Sequence, residues 1–182
     1  MEEPEVPTEH LQEEIHDRVS HHGERWTLGV ALTSALLASL AAVGSMSGGH
    51  YATESMTCQI EAANQWTYFQ SKSIKESQLK SKMELLEALG RPHAQADENK
   101  AAEYAHDKEQ IQKKAEDLAK ESKHFLHTHH ILSRSVTMFQ IAIAVGAISV
   151  LTRRRPFWFV SLTFGAIGLL LAGQAFLSLA AR

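Results

Sequence analysis

Cysteine occurs once, as Cys58. A lone cysteine excludes an intramolecular disulfide framework and a cysteine-based zinc site, and it leaves the redox compartment open. An excess of charge of one sign is also missing. The formal net charge is -3 over 182 residues, so there is no basic face of the kind a nucleic-acid binder shows. The chain has no Walker A loop, no GxGxxG, no HExxH and no CxxC. Serine and histidine are too abundant for their presence alone to argue a nucleophile–base–acid triad. No cofactor is implied, and no enzymatic activity is expected.

The most informative absence is local. Asp, Glu, Lys and Arg are missing from 26–47, 135–152 and 157–181, and dense elsewhere. The first run, Trp26 to Met46, has about 20 uncharged residues, the length a helix needs to cross roughly 30 Å of hydrocarbon. The second, Ser135 to Thr152, is somewhat short unless Ile131 and Leu132 extend it. The third runs from Phe157 to Ala181. Runs of this length exceed what the core of a soluble domain of this size can cover. A cleaved signal peptide is disfavoured for the first run, because the 25 residues ahead of it are long and acidic. The expected fold is all-α: three transmembrane helices, with a long coiled-coil-like helical hairpin between the first and second.

Between the second and third runs stand Arg153, Arg154 and Arg155. A short loop with three positive charges is a strong orientation signal and is expected to stay cytoplasmic. Pro156 opens the next helix where a missing N–H costs nothing, and Phe157 and Trp158 suit an interfacial anchor. By alternation, 48–134 lies outside and the polar tail 1–25, with Arg18 and Arg25, lies inside. Arg182 at the outer end weakly opposes this. The lysines of 48–134 do not count against it, since long inserts translocate largely regardless of charge.

Residues 53–132 are polar and broken once, at Gly90-Arg91-Pro92, a helix stop followed by a residue that cannot continue it. This predicts helical arms over roughly 53–89 and 95–132, each reaching about 50 Å, with Thr53 or Asp97 available to start a helix. In the second arm Ala101, Tyr104, Lys108, Ile111, Ala115, Leu118, Ser122, Phe125, His129 and Leu132 recur at steps of 3 and 4, as in a coiled-coil seam. The first arm has a looser stripe, from Ala62 through Trp66, Phe69, Ser73, Glu76, Leu79 and Met83 to Leu86. With Glu76, Lys108 and Ser122 in core positions the seams are thin. Self-association, as a four-helix bundle of two hairpins, is one expectation; an intrachain antiparallel pair is the other. Ala31, Ala35, Ala38, Ala42 and Ser45 form a small-residue stripe on the first span. Such a stripe suits close helix packing within a chain or between chains.

Eleven histidines are present. His10, His16, His21 and His22 precede the first span; His124, His127, His129 and His130 precede the second. His124, His127 and His130 lie three apart on one helix face. Three readings stand: a polar helix end at an interface, a zinc or copper site, or a group that charges together as pH falls toward 6. Glu13/His16, Glu103/His106 and Glu121/His124 have the Glu-x-x-His spacing of di-iron bundles. The last two are roughly 27 Å apart on one helix, too far to share a site.

The aromatic stretch NQWTYFQSKSIKES at 64–77 is unusual for an exposed helix. With the acidic, histidine-bearing tail, the first span, the charged helical insert and the two closing spans joined by a basic turn, it resembles the bacterial domain of unknown function 4337 family over essentially the whole chain. The resemblance implies a bacterial inner-membrane setting, and it implies that 64–77 is a functional surface including Asn64, Gln65, Trp66, Tyr68, Gln70 and Lys72. It carries no activity, cofactor or catalytic residue. The expected role is a scaffold, adaptor or small subunit of a membrane complex. The hairpin would bind a second copy or another partner through Trp66, Tyr68 and Phe69. The alternative is a transport or pH/metal-sensing protein using the His124–His130 cluster.

Overall fold

The computed structural model describes residues 25–180, with side chains for 26–177. The tail features His10, His16, His21, His22, Glu13 and Arg18, and the terminal Arg182, lie outside the described residues. Three helices account for nearly everything described: α1 (Arg25–Ala88), α2 (Gln95–Thr152) and α3 (Arg155–Ala180). All three are long and apolar enough to cross a membrane.

α1 is a single helix of 64 residues, running without a break through Gly48-Gly49, where the sequence suggested separate segments. Thr53 is therefore inside a helix rather than at the start of one. Glycine in a helix interior costs roughly 0.5–1 kcal/mol relative to alanine. At Gly48 the small residue is offset by a neighbour: His129 Nδ1–H donates to the Gly48 carbonyl at 2.8 Å. α2 begins at Gln95, two residues ahead of Asp97. Asp97 and Glu98 in its first turn suit the positive end of the helix dipole.

The described residues divide into two compact units, one of 25–52 with 127–180 and one of 53–126. In the first unit, the apolar segment of α2 is the most buried of the three, at 44% against 22% for each of the others. Leu37 and Ala41 of α1 pack with Phe139, Ala142 and Ile143 of α2; Ile131 and Leu132 pack with Ala175 of α3. Hydroxyls join helices at close approaches. Ser135 Oγ donates to the Gly168 carbonyl at 2.8 Å, and Ser161 Oγ to the Ala142 carbonyl at 2.6 Å. A Cβ on Gly168 would stand 2.7 Å from the Phe139 ring, so only glycine fits beneath it. Trp158 lies against Gly29, and its indole N–H reaches Thr33 Oγ1 at 3.4 Å. Outward, α3 shows Phe159, Leu170 and Leu177, 60–76% exposed. Contiguous apolar surface of this kind marks contact with a membrane or a partner. The Ala35, Ala42 and Ser45 positions of the small-residue stripe are exposed, while Val30, Ser34, Leu37 and Ala41 form the face of α1 buried within the chain.

The second unit is the antiparallel pair formed by the rest of α1 and the start of α2. Its turn is a Schellman cap: Gly90 adopts φ 68°, Gly90 N–H donates to the Glu87 carbonyl and Arg91 N–H to the Leu86 carbonyl, both at 2.9 Å. At the far end Ser55 and Ser122 each donate a hydroxyl to the other's carbonyl at 2.9 Å. Cys58, Ala62 and Ala115 continue that close contact as buried small residues. Of the second-arm stripe, Ala101, Ile111, Ala115 and Ser122 are buried, and Tyr104, Lys108, Leu118 and Phe125 are half-buried.

Candidate functional site

The middle of the hairpin holds the aromatic stretch. One helical turn sets Trp66 and Phe69 on neighbouring positions, and their rings meet edge-on, centroids 5.5 Å apart. Trp66 is 37% and Tyr68 51% exposed. Phe69 is half-buried and turned toward the other arm, where Lys108 Nζ sits 5.5 Å from its ring centre. The three aromatic contact candidates thus divide: two face outward, and the third packs within the hairpin.

Two ion pairs between the arms, and one within the first arm, hold this region. Lys72 Nζ lies 2.6 Å from Asp107 Oδ2, between the rings of Tyr104 (4.8 Å) and Tyr68 (5.5 Å). A cation between two aromatic faces gains from both ring quadrupoles. The hydrogen bond to Asp107 raises the Lys72 pKa above its ordinary value against the cost of burial. Glu76, with its side chain only 8% exposed, takes Lys108 on one oxygen and Lys80 on the other, each at 2.6 Å. The hydrogen bonds from Lys108 and then Lys80 hold its carboxyl below the usual carboxylate range. Near the turn, Lys82 pairs with Asp97 at 2.6 Å. His93 bonds Glu98 and, with Gln95, holds the Glu98 carboxyl low as well.

Sequence reasoning missed these pairings. In the sequence Glu76 and Lys108 stand only as separate misfits, and nothing there ties Asp107 or Tyr104 to Lys72. The available signal was that opposite charges stand at facing positions once the arms are folded about Gly90. Chemically, the charges here neutralise each other. Outward, the stretch shows Trp66, Tyr68 and Ile74 among exposed polar positions such as Asn64, Gln70 and Lys75.

Elsewhere, His124 is half-buried, while His127 and His130 are exposed. Among the described residues, no three His, Cys, Asp or Glu side chains come together in a way that would hold a metal ion. Arg153, Arg154 and Arg155 are all exposed in the turn from α2 to α3. Arg153 takes a left-handed conformation, φ 54°. Arg154 N–H donates to the Ser149 carbonyl at 3.2 Å and Arg153 N–H to the Val150 carbonyl at 3.3 Å, so α2 ends in the same Schellman geometry as α1.

No curated protein and no solved structure matches this chain. A family profile described as "Domain of unknown function (DUF4337)" matches residues 26–178, a region that takes in all three apolar segments and the entire hairpin. The chain belongs to the DUF4337 family.

Proposed function

We propose that this chain is a bacterial inner-membrane protein whose hairpin is an association arm. Its role on this reading is that of a non-enzymatic scaffold, adaptor or small subunit of a membrane complex. The three apolar helices cross the bilayer, the Arg153–Arg155 turn stays in the cytoplasm, and the hairpin projects into the periplasm. One observation carries the reading. Lys72, Glu76, Asp107 and Lys108 are engaged between the hairpin's own arms, while large side chains such as Met56 (66%), Ile74 (59%) and Tyr68 (51%) stand exposed. Exposed apolar clusters on an otherwise polar element tend to be interfaces, and aromatic residues are enriched among the residues that carry binding energy.

The test is crosslinking in cells with the full chain. A photoreactive residue at Gln70, exposed beside Trp66 and Tyr68, is expected to give a discrete product that Trp66→Ala/Tyr68→Ala reduces several-fold. Phe69 is left intact there, because its ring packs within the hairpin and its loss would disturb the fold. Absence of any discrete product from the hairpin would sink the association role.

A further inference from the structure

The two arms of the hairpin differ on their outer sides. Exposed positions of the second arm include Glu103, Glu109, Lys113, Glu116 and Lys120; the only large exposed apolar side chain among residues 95–126 is Leu126. The first arm also exposes charges, among them Glu61, Lys75, Lys80 and Glu84, but one of its faces differs. Met56, Ile60, Ile74 and Leu85 are 56–66% exposed; their spacings of 4, 14 and 11 residues are sums of helical steps of 3 and 4, which puts them on one face turned away from the other arm. From 56 to 85 that face carries no Asp, Glu, Lys or Arg.

Two hydroxyls at the centre of this face are already satisfied. Thr67 Oγ1 donates to the Ala63 carbonyl at 3.0 Å, and Ser71 Oγ to the Thr67 carbonyl at 3.1 Å. Losing water there leaves neither donor unpaired, so covering these positions avoids the usual penalty for burying a hydroxyl. Gln78 is exposed on the same face, and an amide is both donor and acceptor.

We infer that this face, running from Met56 to Leu85, is the contact surface for a second copy of the same chain, arm against arm in parallel about a two-fold axis. The inference rests on the association reading above and names its partner. In an isologous contact residues face their own copies, so any charge on the axis would repel itself. A face that excludes charge, and whose exposed Gln78 amide can pair with its twin, meets that condition. A different partner would impose no such rule. Two arms leaving the same membrane run parallel, which sets Ile60 level with Ile60 and Ile74 level with Ile74 of the second copy. The face is about 45 Å long at 1.5 Å per residue. At roughly 10 Å wide it buries on the order of 900 Å² in total, just below the ~1,000 Å² of a stable interface. The arm alone is therefore a weak contact that tethering in the membrane strengthens by raising effective concentration. The full-length chain is the form to test.

The test uses Cys58→Ala chains with one new cysteine, oxidised in native membranes, with helicity checked after purification. Ile60→Cys and Ile74→Cys are expected to form disulfide dimers of twice the chain mass, at least ten-fold more than Gln112→Cys on the outer side of the second arm. With Ile60→Cys in native membranes, Ile74→Glu and Ile74→Lys, each alone, are expected to lose the disulfide dimer, and co-expression of the two to restore it. The side chain is exposed in the single chain, so these changes leave its fold intact. Equal crosslinking at all three cysteine positions would overturn the inference, as would failure of the mixed charge pair to restore the dimer. A product of another mass from Ile74→Cys would also overturn the second-copy contact while leaving the association role standing. No product of any mass, there or from the photoreactive Gln70 position, would remove both.

Discussion

At the scale of single residues, the two interhelical turns solve one problem with different side chains. Both α1 and α2 end in a Schellman cap that needs a residue with positive φ, Gly90 in one and Arg153 in the other. Glycine has no Cβ to clash there; a side chain in that conformation costs roughly 1–2 kcal/mol. Arg153 therefore bears a conformational cost that its exposed side chain does not offset through any contact it makes. Replacing it should relieve the strain: Arg153→Gly is expected to raise stability by about 1 kcal/mol, read as a higher melting temperature of the purified chain in detergent. An unchanged or lower melting temperature would show that the arginine side chain stabilises the turn. The two residues were unequally legible. Gly90 announces its turn, because Gly-Arg-Pro stops a helix by local chemistry alone. Arg153 read only as a charge, since a left-handed arginine has no compositional signal. Gly168 carries no local signal of its contact, because the Phe139 ring that requires it is 29 positions away.

At the scale of the element, the hairpin is held by paired exceptions to an apolar seam. The periodicity marked Glu76, Lys108 and Ser122 as poor core residues. The fold shows that each has a counterpart on the facing arm: Glu76 with Lys108, and Ser122 with Ser55. Helical spacing reveals which residues share a face, but not which residues of two arms meet. That depends on the register set by the turn, so the seam was readable and its pairing was not. The first-arm face also extends past Ala62 to Ser55 and Cys58, which are buried but too small and polar to stand out as a stripe. Such pairs make register specific, because a slip leaves a half-buried charge without its partner. The pH dependence follows from the direction of the Glu76 shift. Its pKa is lowered in the folded chain by the hydrogen bonds from Lys108 and Lys80. Its contribution is therefore fully present above the ordinary carboxylate value of 4.5 and lost as pH falls through the lower folded value. Glu98, held low chiefly by His93, adds in the same sense. The melting temperature should stay level from pH 7 to about 5 and fall in more acidic solution. Glu76→Gln should melt lower at pH 7 and show a shallower acid decline. Identical acid profiles for the two chains would show that Glu76 is not responsible.

At the scale of the whole molecule, three uncharged runs and one basic turn were legible because each is a property of local composition. The continuity of α1 was not. By propensity Gly48-Gly49 looks like a break; what keeps the helix intact there includes the bond from His129 to the Gly48 carbonyl, 81 residues distant. A membrane orientation proposed from Arg153, Arg154 and Arg155 has a consequence that a single probe can check, provided the probe is reachable. Cys58 is 8% exposed and sits in the seam between the arms, so its failure to label would report burial rather than sidedness. Gln112 is exposed on the second arm. A Cys58→Ala/Gln112→Cys chain should react with a small membrane-impermeant maleimide in intact cells about as completely as in lysed ones. Changing the three arginines to glutamine should make that labelling incomplete, since the positive turn is the strongest signal retaining this end of the chain inside. If Gln112→Cys labelled only after lysis, the hairpin would be cytoplasmic. The parallel contact between first arms would keep its geometry, because both copies would still leave one face of one membrane. The association reading and the orientation reading therefore stand on separate residues and can fail separately.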